Sequence, residues 1–157
     1  MKRVFYYLLK YLSFCLRPLR HGYYMRLMQL AYTIQGVKFK GKVSYIHHDA
    51  YIDNVGEVEI GDNVVISTKA ILLAHDYTSK VKQKLNGGGN EEYIHSLRKG
   101  NNVFIGAGAI ILPHSNIGNY CIIGAGAVVK GIIPDYSVVI GNPCKIIKSL
   151  KPNINGK

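Results

Sequence analysis

The chain has 157 residues, with 20 Lys and Arg against 9 Asp and Glu for a formal net charge of +11, a hydrophobic share of 48% and 17 glycines without a tryptophan. That length holds one domain with a real core plus a small appendage and excludes a second full domain, and the hydrophobic share excludes a disordered chain. The three cysteines, Cys15, Cys121 and Cys144, are an odd number without framework spacing, which excludes a disulfide scaffold and points to a reducing compartment.

The charge is concentrated at the start. Lys2, Arg3, Lys10, Arg17, Arg20, Arg26, Lys38, Lys40 and Lys42 precede the first acid, Asp49. Such a basic segment favours an acidic partner, whether a phospholipid surface, a nucleic acid or a phosphorylated ligand, without choosing among them. Val4, Phe5, Leu8, Leu9, Leu12 and Leu16 follow helical spacing, Pro18 interrupts, and Leu27, Leu30, Ala31 and Ile34 resume it, which predicts two short helices. The apolar stretch 4–16 is too short to span a bilayer, and no small-residue cleavage site follows it as in a secretory signal. Two uses are open for the segment 1–42. The helices could cap an end of the following repeats or line a subunit contact; alternatively Tyr6, Tyr7, Tyr11, Tyr23 and Tyr24, interleaved with cations over residues 1–35, suit attachment to an anionic membrane surface.

From Val43 a repeat begins. Ile46, Ile52, Ile60, Ile66 and Leu72 are the inward candidates, with Ala50, Val64 and Ala70 in the slots four residues later. The step from Ile52 to Ile60 is too long, so a bulge is expected near Asn54–Glu57. Residues 74–102, with Gly87–Gly89 amid Lys, Asn and Glu, lack the period and read as a long excursion, a feature more often functional than ornamental. The period is sharpest over 103–129, where Ile105, Ile111, Ile117, Ile123 and Val129 recur every sixth residue and Ala109, Ser115, Cys121 and Ala127 fill the small slots. A period of six keeps the aliphatics on one side of extended segments but drifts around a helix, and such hexads stack as a β-helix. A turn at Gly131–Asp135, a last strand over Tyr136–Ile140 and a Lys-rich tail beyond Lys145, frayed past Lys151, complete the chain. The organisation expected is a helical segment over 1–42, repeats over 43–148 and a tail over 149–157.

The repeats, the IGAGAIILP and IIGAGAVV stretches, the PDYSVVIGNPCKII ending and the AHDY before the excursion together resemble the hexapeptide-repeat acyltransferases, all-β proteins built on a left-handed parallel β-helix. Handedness comes from the resemblance alone, since the general rule for parallel crossovers predicts a right-handed coil. The likeness is greatest to enzymes that O-acetylate sugars of cell-surface polysaccharides, in which a His-Asp-Tyr stands where His75-Asp76-Tyr77 stand here.

The resemblance implies direct acetyl transfer from acetyl-CoA to a sugar hydroxyl, with no acyl-enzyme and no metal. Such chemistry needs a base, oxyanion donors and a groove for a long phosphorylated cofactor. His75 matches the base, and the backbone N–H of Ala107 in the Gly106-Ala107 turn matches the oxyanion donor. Gly124 and Ala125 match the turn that meets the pantetheine arm; Asn142, Pro143 and Lys145 match the segment near the adenosine end, and Phe104 stands where the family usually carries Trp. On residue types alone, Gly and Ala are also what any tight corner requires, and His75 could be a polar corner residue. The resemblance further implies a homotrimer with the cofactor groove between neighbouring subunits, a saccharide acceptor and a cytoplasmic enzyme; the charge and tyrosines of the basic helices favour a lipid-linked acceptor at the inner face of a membrane. His114 replaces the usual Gly after Pro113 and is expected to accept a left-handed corner; no role is assigned to it or to His95. Asp53 and Asn54 could approach the acceptor, but the irregular spacing around them leaves the register open.

Alternatives have their own signatures. A zinc carbonic anhydrase needs three converging imidazoles, and the six histidines show no H-x4-H pair. No nucleic-acid motif accompanies the charge. An N-acyltransferase acting on a nucleotide-linked amino sugar and an idle trimeric scaffold at a membrane surface remain, the scaffold disfavoured by a His beside the cofactor turns.

Overall fold

The computed structural model describes residues 2–16, 21–76, 78, 84–85 and 96–150. Two helices, α1 (Lys2–Leu16) and α2 (His21–Ile34), lead into a coil of short strands arranged as three parallel sheets. The first sheet holds β1 (Lys38–Phe39), β4 (Glu57–Ile60), β7 (Ser96–Lys99), β10 (Asn116–Ile117) and β13 (Ile132–Ile133). The second stacks β2 (Tyr45–Ile46), β5 (Val65–Ile66), β8 (Phe104–Ile105), β11 (Ile122–Ile123) and β14 (Ser137–Ile140), closed by antiparallel β15 (Lys145–Ser149). The third stacks β3 (Tyr51–Ile52), β6 (Ile71–Leu72), β9 (Ile110–Ile111) and β12 (Val128–Val129). The chain visits the sheets in rotation, so the molecule is a triangular prism whose three edges are the corners between strands.

The hexads work as their spacing predicts. Ile46, Ile60, Ile66, Leu72, Ile105, Ile111, Ile123 and Val129 are fully buried, as are Ala70, Ala109, Cys121 and Ala127 in the small slots. Each coil buries its aliphatics only against the next one, which is why isolated hexads would not fold. Closing a turn in six residues needs a left-handed backbone at a fixed place. Positive φ recurs at Asn102, Gly108, His114, Tyr120 and Gly126, six residues apart. His114, with φ 63°, takes the corner as expected. On the edge between the first and second sheets, the side-chain oxygens of Asp62, Asn101, Asn119 and Asp135 accept backbone N–H bonds from the preceding coil at 2.7–2.8 Å, which holds the coils in register.

Three expectations are corrected. The ladder reaches back to Lys38, inside the segment expected to be helical. The excursion ends before Ser96 rather than at 102, because Ser96–Lys99 pairs with both β4 and β10. Its strand period is hidden because Lys99, only 4% exposed, occupies the inward slot beside Ile60 that elsewhere holds an aliphatic. Tyr136, with φ 62°, is a corner, so the last parallel strand starts at Ser137. The bulge near Asn54–Glu57 is present as a bend before β4, and the fraying expected past Lys151 lies outside the described residues.

The outer faces of the sheets differ. The first is a ladder of Lys38, Glu57, Glu59 and Arg98 that runs on to Asn116 and an exposed Ile132, with Lys38 paired to Glu57 and Arg98 to Glu59 at 3.8 Å. The second presents Tyr45, Val65, Phe104, Ile122 and Val138, and the third Tyr51, Ile71, Ile110 and Val128. Phe104, Ile122 and Tyr51 are 42%, 37% and 48% exposed. Two apolar outer faces beside one charged face is the pattern of a surface made to be covered.

Candidate active site

His75 stands where the third sheet gives way to the excursion, on the edge leading back to the first sheet. Parallel pairing of Ile52 with Leu72 sets Asp53 beside Leu73, and the carboxylate reaches His75. Asp53 is fully buried: Oδ2 accepts from the Ala74 N–H at 2.9 Å and from His75 Nδ1, while Oδ1 accepts from the Val55 N–H at 3.0 Å. Burial pushes the Asp53 carboxyl up, but the bonds from His75, Ala74 and Val55 outweigh it, so the group sits below its ordinary value and is a carboxylate at neutral pH. An acceptor-only carboxylate on Nδ1 fixes the proton there and makes Nε2 the basic nitrogen. The His75 side chain is 21% exposed, enough to meet a substrate proton.

Asp53 was left unassigned by the sequence because its partner is set by register. The extra residues at Asn54–Glu57 make that coil twenty residues long, Tyr51 pairing with Ile71, so no hexad count aligns Asp53 with His75. Placing the bulge wholly after Asp53 would have exposed the pair.

The cofactor residues expected from sequence gather elsewhere. Gly106, Ala107, Gly124 and Ala125 stack on the edge joining the second and third sheets, and Gly141-Asn142-Pro143 continues that column above them, its Gly141 carbonyl accepting from the Val128 N–H at 3.0 Å. Phe104 flanks the column on the second sheet, and Lys145 opens β15, exposed. The N–H groups of Gly106, Gly108 and Ala109 all bond carbonyls, at 2.8, 2.9 and 3.2 Å, whereas among the described residues nothing accepts from Ala107 N–H, which lies at an exposed corner. Gly106 has a packing reason of its own: a Cβ there would stand 2.6 Å from Ala125 N and 2.8 Å from Ile123 O. One chain therefore keeps His75 and Ala107 on different edges, separated by the third sheet.

The described residues hold one group of potential metal ligands, His47, His48 and Asp49, lower on the edge joining the second and third sheets. Asp49 is already engaged there by His47, by the Thr68 hydroxyl at 2.8 Å and by Lys69 N–H at 3.0 Å. Three converging imidazoles are not among the described residues. His95 lies outside them.

Residues 100–131 match the family model described as bacterial transferase hexapeptide (six repeats). Over that stretch the chain carries the repeats of the hexapeptide transferases. Among curated proteins it is 34% identical over 110 residues to a galactoside O-acetyltransferase of Escherichia coli K12, a match covering 70% of this chain and 53% of that protein. The chain spans about half the length of curated relatives it matches. Among solved structures it aligns with a galactoside acetyltransferase in complex with coenzyme A, at TM-score 0.64 and 25% identity, covering 95% of this chain and 80% of that one. It also aligns with a maltose O-acetyltransferase from Clostridium difficile 630, at TM-score 0.59 and 26% identity over 96% of this chain and 88% of that one. The left-handed parallel β-helix of the family is the fold of this chain.

Proposed function

We propose that this hexapeptide-repeat protein is an acetyl-CoA-dependent O-acetyltransferase acting on a saccharide hydroxyl, the saccharide belonging to a cell-surface polysaccharide or its lipid-linked precursor on the cytoplasmic side of a membrane. The observation that carries the reading is the Asp53–His75 pair at the mouth of the excursion. Relatives named as galactoside acetyltransferases support the donor and the acceptor class.

The acceptor hydroxyl attacks the thioester carbon while His75 Nε2 takes its proton, and Asp53 steadies the imidazolium that forms. The Ala107 N–H, having no acceptor among the described residues, is available to the oxyanion. Collapse of the tetrahedral intermediate expels the CoA thiolate, which takes the proton back from His75, so the products are the acetyl ester and CoA thiol. Phe104, Gly106, Gly124, Ala125, Asn142 and Pro143 form the column that would receive the pantetheine and adenosine, with Lys145 near enough in sequence to meet a phosphate.

His75 and this column lie on different edges of one prism, so a complete site needs an edge from a neighbouring copy. The apolar outer faces of the second and third sheets supply a surface for that contact, and a closed homotrimer of triangular prisms satisfies all three copies alike. Calorimetric titration of acetyl-CoA, with transfer assays of the chain and of His75→Ala on a panel of sugars, tests the reading. Binding by both with transfer lost in the variant supports it; no binding by either overturns it.

A further inference from the structure

The two helices are not equivalent. α2 is the cap: Tyr24, Met28, Ala31 and Tyr32 are buried against the first coil, with Tyr24 and Tyr32 hydroxyls donating to the carbonyls of Ile46 and Ala50 at 2.6 and 2.7 Å. α1 lies on α2 through a narrow stripe in which Leu9 and Ser13 are buried and Lys10 reaches Tyr6 and the Ala50 carbonyl at 3.3 and 3.4 Å. Its apolar residues point the other way. Val4, Leu8 and Tyr11 are 74%, 61% and 70% exposed, and Phe5, Leu12 and Phe14 are each close to half exposed. Positions 4, 8 and 11, and 5 and 12, are neighbours on a helix surface, so these side chains form one continuous apolar face.

We propose that this face of α1 is an interfacial anchor that lies in the headgroup region of an anionic phospholipid membrane. The charge names the occupant. Lys2 and Arg3 are exposed at the start of the helix, Arg26 is exposed on α2, and no acid precedes Asp49 in the sequence. A second copy packed α1 against α1 brings the same cations and no acid from either helix to meet them, whereas anionic headgroups pair with them while the aromatic and aliphatic side chains enter the acyl boundary. No helix of the described residues is long and apolar enough to cross a membrane, and α1, about 22 Å long at ~1.5 Å per residue, fits lying in the plane. The inference stands on α1 and is independent of acetyl transfer, although it would bring a lipid-linked acceptor to the enzyme.

The test is flotation of the full chain with phosphatidylcholine vesicles, with and without phosphatidylglycerol, for the wild type, for Leu8→Glu with Tyr11→Glu, and for Lys2→Glu with Arg3→Glu. Thermal melts and acetyl-CoA binding are followed on the same samples. The wild type is expected to float with the anionic vesicles only, and to detach at about 0.5 M salt, where the Debye length shrinks to a few Å. Loss of the apolar pair should reduce the bound fraction at least ~10-fold, and each removed cation should cost about five-fold in partitioning, with melts unchanged. Absence of flotation, flotation indifferent to the apolar substitutions, or a fall in oligomeric mass on Leu8→Glu, which would mark the face as a contact between copies, each overturns the proposal. Because acetyl-CoA binding is measured separately, a failed anchor and a failed acetyltransferase give different results.

Discussion

Replacing Lys99 by Met should stabilise the protein. Lys99 occupies the inward slot of the first sheet, paired with Ile60 on one side and Ile117 on the other, and its Nζ has no hydrogen-bond partner among the described residues. Burial holds its ammonium well below the ordinary value of 10.5. A buried polar group without a partner costs about 1–3 kcal/mol, and Met fills the same length with apolar atoms, so the gain expected is ~2 kcal/mol. For a chain of this size that is a rise in Tm of roughly 4–8 °C. The pH dependence follows from the direction of the shift. Between the folded and unfolded values the unfolded chain holds a proton that the folded chain has lost, so wild-type stability rises with pH through that window, and near 10.5 only the cost of the unpartnered neutral amine is left. The advantage of Lys99→Met is therefore largest below the folded value and shrinks as pH approaches 10.5, to what the neutral amine costs. Urea denaturation of both proteins across pH measures it. A destabilised variant, or an advantage that grows with pH, would refute the placement of a bare amine in this core.

Asp53→Asn should keep acetyl-CoA binding while lowering transfer about 10²-fold or more, since the amide can donate to Nδ1 and reverse the tautomer; equal kcat in both proteins would remove Asp53 as the positioning residue. Gly106→Ala should cost ~2 kcal/mol or more in thermal denaturation, because the new Cβ meets backbone of the next coil at 2.6 Å. Gly108→Ala, with nothing within 4 Å and φ +65°, should cost only the left-handed penalty of ~1–2 kcal/mol, so a larger loss at 108 than at 106 would contradict the stacking described. Tyr24→Phe and Tyr32→Phe should each lose ~1 kcal/mol, read as a shifted denaturation midpoint, if their hydroxyls tie the cap to the first coil.

The relation of residues to fold differs along the chain. Over 103–129 the inward positions are legible one by one, because a hexad is a local signal and each residue's orientation follows from its place in it. The left-handed corners from Asn102 to Gly126 obey the same period, whereas the Asp and Asn edge ladder keeps it only from Asn101 to Asn119. Legibility fails where the period is masked. Lys99 in an aliphatic slot hides a strand that the tertiary ladder imposes, since pairing with β4 and β10 outweighs the preference of one side chain. The Asp53–His75 pair is invisible for a related reason: it depends on how many residues the bend before β4 absorbs, a quantity set by packing between coils. Sequence alone determined that the chain coils in hexads, that a basic helical segment precedes them, and which small residues line the edge between the second and third sheets. Tertiary structure alone decided that α2 caps the coil while α1 turns its apolar face outward, that His75 is held by Asp53, and that His75 and the Gly-Ala column stand on separate edges. Periodicity fixes which way a side chain points within its own coil; contacts between coils, and between helix and coil, are long-range and come only from the packed whole.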